Sequence, residues 1–191
     1  VRSDGKTVSG IECMKHMLLS ENIGHEAPAK LYKREVWTDR RFPIGKLYED
    51  LLTTYALLES TEEVCVMHDA LYFYRQRSGS IMHSRITEYE LQLFDTSESV
   101  TGTIERRHPQ LAVAARRLDT VNDLKLLHRI MQTDKTVFGE IQSNIVVKNK
   151  ENAKLLLFSK DVRLVDKVKI IALLFGKEPF YFVYKIGARN K

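Results

Sequence analysis

Apolar residues first recur at helical spacing at Ile11, Met14 and Leu18, directly behind Ser9-Gly10-Ile11-Glu12. That tetrad has the form of a capping box, so the pattern predicts a helix from about residue 9 to 21, ended near Asn22 and Gly24. Pro28, suited to a first helical turn, followed by Leu31, Tyr32, Glu35 and Val36, predicts a second, short helix. Pro43 and Gly45 mark a loop, after which Leu51, Leu52, Tyr55 and Leu58 predict a helix that starts at Glu49-Asp50 and runs to about Ser60. Two apolar runs follow, Val64-Cys65-Val66-Met67 and Leu71-Tyr72-Phe73-Tyr74, separated by His68-Asp69-Ala70. Their β-branched and aromatic content predicts strands, paired either with each other or with strands outside this sequence.

From Thr87 the pattern changes. A second capping box, Thr87-Glu88-Tyr89-Glu90, opens a region broken mainly at His108-Pro109 and at Gly176-Lys177-Glu178-Pro179. Helical spacing recurs at Leu124, Leu127 and Met131, at Phe138, Ile141 and Ile145, and at Leu164, Val168, Ile171 and Phe175. The expected class is α+β, predominantly α, with residues 1–86 holding the strands and residues 87–191 a helical array without internal repeats.

Composition changes this picture little: 43% hydrophobic and 29% charged residues in 191 describe an ordinary globular chain. Charge adds more. Residues 148–191 hold 11 Lys/Arg against 4 Asp/Glu, a surplus of +7, which leaves 19 against 21, or −2, for residues 1–147. Solvated helix faces are the plain explanation, and attraction to an anionic membrane surface or a phosphate-linked acceptor the sharper one. No recognition motif for nucleic acid accompanies the charge. Ile170 to Ile186, apolar with lysines around it, suits either packing in an all-α core, the preferred reading, or an interfacial element. Cys13 and Cys65, far apart at apolar positions, are expected to be buried free thiols of a reducing compartment. No apolar stretch reaches the ~20 residues of a membrane span, and a start at Val1 suggests a piece of a longer protein.

The candidate chemistry begins with Glu49 and Asp50, adjacent carboxylates where a Pro/Gly loop turns into a helix. A carboxylate fixed there can act as a general base, although the helix dipole alone also favours acids in a first turn. Lys30 and Lys46 could contact a substrate, although exposed lysines beside helices are usually just solvated. Trp37 offers a ring face to a sugar, but a lone tryptophan after a short helix more often plugs a core. Arg75, Arg77 and Ser80, with Gly79 between them, suit a diphosphate, because guanidinium forks match phosphate oxygens. The remaining histidines show no metal-ligand spacing with one another or with the cysteines and read as fillers.

Four segments in order carry a resemblance: Ala27-Pro28-Ala29-Lys30-Leu31-Tyr32-Lys33-Arg34-Glu35-Val36-Trp37, then Arg41-Phe42-Pro43-Ile44-Gly45-Lys46-Leu47-Tyr48-Glu49-Asp50, then Ala70-Leu71-Tyr72-Phe73-Tyr74-Arg75-Gln76-Arg77, then Ser78-Gly79-Ser80-Ile81-Met82. Over roughly residues 8 to 86 the series resembles the second half of the GT-A catalytic domain of bacterial family 2 glycosyltransferases, inverting enzymes of polysaccharide biosynthesis. The resemblance implies that Asp50 deprotonates the acceptor hydroxyl with Glu49 in support. Lys30 and Trp37 would lie on the acceptor side, Arg75, Arg77 and Ser80 at the donor diphosphate, and His83 in the metal shell. It further implies a nucleotide-sugar donor, a saccharide or lipid-linked acceptor, a Mn or Mg ion, and a location in the cytoplasm, either free or peripheral on the inner face of the cell membrane. The family's Asp-x-Asp motif is absent here, as are a Walker loop and a dinucleotide glycine fingerprint. The donor-binding half is therefore expected outside these residues, and the chain alone is expected to bind no metal and to be inactive. The alternative from another class is a non-catalytic helical module whose basic tail docks on a membrane or a partner.

Overall fold

The computed structural model describes residues 5–21, 23–67, 69–73, 75, 86–133 and 138–189. It is α+β and mostly helical, as expected, and divides into two compact units, Val1–Arg85 and Ile86–Lys191.

In the first unit, strand β1 (Lys6–Ser9) runs antiparallel to β2 (Glu63–Val66), with Lys6 opposite Val66 and Ser9 opposite Glu63. Helix α1 (Gly10–Leu19) starts where the capping box predicts, the Ser9 hydroxyl accepting the Glu12 N–H at 3.1 Å. It stops at Ser20, which adopts φ 55° in the left-handed region and returns its N–H to the Met17 carbonyl. Helix α2 is Glu49–Glu59. A Cβ on Gly10 would collide with the carbonyl oxygens of Leu58 and Thr61, so glycine lets the start of α1 lie against the end of α2. Met14, Met17, Leu18, Leu51 and Leu57 close the core between them.

Four sequence expectations fail in this unit. The helix from Pro28 does not form: Ala29 adopts φ 61°, incompatible with a right-handed helix, Leu31 is fully exposed, and only a 3-10 turn at Arg34–Trp37 survives. Residues 71–73 are not a strand, Tyr74 lying outside the described residues; Leu71 and Phe73 face solvent and the Leu71 N–H closes a tight turn onto Asp69. The pairing partner of β2 is instead Lys6–Ser9, which the pattern did not single out. Cys65, on β2, is exposed, whereas Cys13 is buried; both are free thiols.

The second unit is a helical array: α3 (Gln92–Arg107), α4 (Ala112–Met131), α5 (Gly139–Phe158), α6 (Leu164–Phe175) and α7 (Lys177–Arg189), each packed on the next, with α7 also reaching back to α4. Its entry is the Thr87 box. Glu90, 3% exposed, accepts the Thr87 N–H and hydroxyl and the Arg129 guanidinium of α4. Burial alone would raise the Glu90 pKa, but these partners outweigh it and hold it low. A buried ion pair ties α4 to α6, Arg117 donating from Nε and Nη2 to Asp166 Oδ2 at 2.9 and 2.6 Å. Phe180 of α7 is fully buried, and His128 of α4 stacks between Tyr181 and Tyr184 at 5.4 and 4.2 Å. No helix among the described residues is long and apolar enough to cross a membrane.

The preferred core reading of Ile170 to Ile186 holds for Ile170, Ala172, Leu173 and Phe180, which are buried, and fails for Ile171, Leu174, Phe175, Phe182 and Ile186, which are exposed. The stripe Leu164, Val168, Ile171 and Phe175 faces solvent, and the opposite stripe, Asp166, Ile170 and Leu173, is the one buried.

Between α3, α4 and α5, Lys148 Nζ lies 3.0 Å from Asp119, 2.8 Å from Asp123 and 3.3 Å from Glu98. Asp119 and Asp123 are fully buried, so one ammonium ion faces two desolvated carboxylates. Burial pushes both carboxyls up, Asp123 to about 7. Folding thus favours the protonated acid, and between the ordinary carboxylate range and pH 7 the folded chain holds more protons than the unfolded one. Stability from this cluster is present in mild acid and lost as pH rises towards 7, by on the order of a few kcal/mol. His128, whose pKa burial lowers, works in the opposite direction. The expected result in urea unfolding at pH 5 and pH 8 is that Asp123→Asn gains relative to the parent at the higher pH. A parent-to-variant difference independent of pH would contradict this.

Candidate functional site

The site is built where the loop through Phe42 to Tyr48 feeds α2. Gly45 at φ 74° and Tyr48 at φ 62° both use the left-handed region, which folds the chain sharply into the helix. No side chain caps α2 from Tyr48; instead the Leu51 N–H donates to Asp50 Oδ1 at 2.7 Å, fixing that carboxylate in the first turn. The segment before the loop packs over it, tied down by the Thr54 hydroxyl, which donates to the His25 carbonyl at 2.7 Å.

Asp50 is half-buried. Burial raises its pKa; the His25 ring and the Leu51 amide pull it down, while Glu49 and Glu26 push it up. Lys30 stands in the same electrostatic group: burial lowers its pKa, opposed by Glu26, Asp50 and Cys13, and its ammonium donates to the Glu26 carbonyl. The Tyr32 hydroxyl is buried beside Thr54 and Asp50; burial pushes its pKa up, and the Thr54 side chain opposes that rise. From there aromatic rings lead outward. Tyr32 meets Trp37 edge-on at 5.2 Å and Trp37 meets Phe42 at 5.3 Å. Trp37 also lines a shallow groove of about 580 Å³ with Arg34, Glu35, Thr38 and Arg41.

Chemically, this is a carboxylate made more basic than a free aspartate by desolvation, with a cation and a phenol beside it. Such a group accepts a proton from a hydroxyl placed against it. Oδ1 is held by the Leu51 amide, which leaves Oδ2 for that proton.

Of the residues chosen from sequence, the fold brings Asp50, Glu49 and Lys30 together. Glu49 is half-buried in the same turn, its carbonyl accepting the Thr53 hydroxyl at 2.8 Å. Trp37 is half-exposed on the groove wall instead of plugging the core, and Asp50 is not part of that wall. Lys46 is exposed, as is Arg75 beyond β2. Arg77, Ser80 and His83 lie outside the described residues. Sequence reasoning missed His25, Glu26 and Tyr32 as neighbours of Asp50. Their link to it is tertiary, and their spacing carries no ligand or helical signature that points to position 50.

The divalent cation that the family resemblance implies does not fit the residues described. Among them no group of His, Cys, Asp or Glu is placed to hold a metal ion, and the sequence has no Asp-x-Asp.

The chain is 36% identical over 62 residues to a protein described as "Glycosyltransferase GlyG" of Streptococcus pneumoniae serotype 4. That stretch is 32% of this chain, and it spans only 20% of the relative's length. The similarity supports a relation to glycosyltransferases in general. No protein-family profile and no solved structure matches the chain.

Proposed function

We propose that the chain is the acceptor-side and C-terminal portion of a nucleotide-sugar-dependent, inverting glycosyltransferase of the family 2, GT-A kind, acting in polysaccharide synthesis. The observation that supports this best is Asp50: half-buried at the start of α2, its pKa raised by burial and beside Lys30, in a chain with partial similarity to a glycosyltransferase.

The acceptor hydroxyl docks against Asp50 Oδ2 and gives up its proton as its oxygen forms a bond to the anomeric carbon. The bond from that carbon to the donor diphosphate breaks on the opposite face, so the configuration inverts, and the electron pair leaves with the diphosphate. Fixing base and hydroxyl together supplies orientation as well as basicity. Trp37 and the groove beside it offer a ring face and polar side chains to the acceptor sugar. Arg75, with Arg77 and Ser80, is assigned to the diphosphate, and the nucleotide-sugar pocket to sequence beyond these 191 residues.

A panel of nucleotide-sugars tests this reading on the complete gene product, with Mn or Mg supplied and release of nucleoside diphosphate followed. The expected result is release from one donor class, accelerated by a saccharide or lipid-linked acceptor. No release from any donor in the presence of acceptor would overturn the proposal.

A further inference from the structure

Helix α6 is apolar on two sides. Ile170 and Leu173 fill the core beside the Asp166 ion pair, while Leu164, Val168, Ile171 and Phe175, at i, i+4, i+7 and i+11, form a second stripe facing solvent. Phe175 is 81% exposed and Leu164 77%, and Val165 and Leu174 on either flank are exposed too. The helices packed against α6 repeat the feature: α5 ends on Phe158, 83% exposed, and α7 presents Phe182 and Ile186 one turn apart. A soluble surface scatters such residues singly; a stripe on one helix with more on both neighbours marks an interaction surface.

Charge identifies the occupant. Phe158, α6 and α7 lie in residues 148–191, which carry a surplus of +7. Asp166, buried against Arg117, and Lys148, held inside by Asp119 and Asp123, cancel from that count, which leaves 10 Lys/Arg against the exposed acids Glu151, Asp161 and Glu178. Lys154, Lys160 and Lys185 are exposed on or beside the same three helices. A second copy of the chain would bring this positive field against itself. A surface of anionic phosphate headgroups over hydrocarbon complements both features, the lysines meeting phosphates while the aliphatic and aromatic side chains enter the acyl boundary.

We infer that the solvent-facing stripe of α6, with Phe158, Phe182 and Ile186, docks this protein on an anionic lipid surface, lying in the interface and not crossing it. This does not depend on the glycosyl-transfer proposal, because it uses no residue of the Asp50 site. The two stand or fall on separate readouts.

Co-sedimentation of the whole chain with phosphatidylcholine vesicles, with and without phosphatidylglycerol, tests it. Binding is expected only with phosphatidylglycerol and should weaken as salt is raised. The double variant Val168→Ser, Ile171→Ser changes exposed positions, so circular dichroism should match the parent, yet its vesicle affinity should fall about tenfold or more. Phe175→Ser is a second, independent variant with the same expected direction. Equal binding by parent and both variants, or binding indifferent to phosphatidylglycerol and salt, would overturn the inference. So would a concentration-dependent dimer abolished by the same substitutions, which would assign the face to a second copy of the chain.

Discussion

Asp166→Asn is expected to cost the chain about 3–5 kcal/mol of stability and to lower the unfolding midpoint of the helical unit by on the order of 15 °C. Arg117 is 1% exposed, and its guanidinium donates twice to Asp166 Oδ2, at 2.9 and 2.6 Å. Arg163 reaches the same oxygen at 3.2 Å from the turn before α6. Asparagine keeps the shape of aspartate and removes its charge, so the guanidinium loses the Asp166 carboxylate while it stays in a dry interior. Desolvation then dominates. The paired replacement Arg117→Met with Asp166→Leu removes both charges and should recover most of the loss. Urea unfolding of the two variants checks this: a single-variant loss below about 1 kcal/mol would show that the pair is solvated.

That ion pair also shows why one element was legible in the sequence only in part. The periodicity of residues 164–175 correctly marks a helix through the one stripe Leu164, Val168, Ile171 and Phe175. It is the purer of the two that the helix carries, and hydrophobicity alone assigns it to the core. The structure buries the stripe interrupted by Asp166, because Arg117, 49 residues earlier, neutralises that carboxylate. Pairing at such distance leaves no local trace in a sequence.

Local signals performed better. Ser9 and the Thr87-Glu90 box act within three residues of themselves, so both helix entries were readable, as were the breaks at His108-Pro109 and Gly176. The strand expected at Leu71–Tyr74 failed for the complementary reason. Aromatic and β-branched content shows what fits a sheet, but a strand needs a partner to complete its ladder, and β2 takes Lys6–Ser9.

The candidate site divides in the same way. Glu49 and Asp50 at a helix start follow from Pro43, Gly45 and the amphipathic run after them. That Asp50 shares its surroundings with His25, Glu26, Lys30 and Tyr32 follows from Thr54 anchoring the earlier segment to α2 across 29 residues. Ala29 at φ 61° ended the expected helix there and left Tyr32 to meet Trp37 in an irregular segment.

The larger functional effect is expected at position 50. Asp50→Asn preserves size and accepts the Leu51 N–H through its amide oxygen, so α2 should keep its first turn. It removes the proton acceptor, and loss of a positioned general base lowers kcat by about 10²–10⁴-fold. In the proposed role Asp50 acts on the acceptor hydroxyl and not on the diphosphate, so donor affinity should stay within about threefold, a loss in kcat without a matching loss of ground-state binding. Because burial raises the Asp50 pKa, the acid limb of kcat/KM should lie above the ordinary aspartate range: as pH falls the base protonates, and activity is lost earlier than an exposed aspartate would allow.

The most direct test is the transfer rate of Asp50→Asn against the parent in the complete gene product, with donor affinity measured alongside by calorimetry. The account predicts a rate reduced at least about a hundredfold with donor binding retained. A variant that transfers sugar at the parental rate would contradict it.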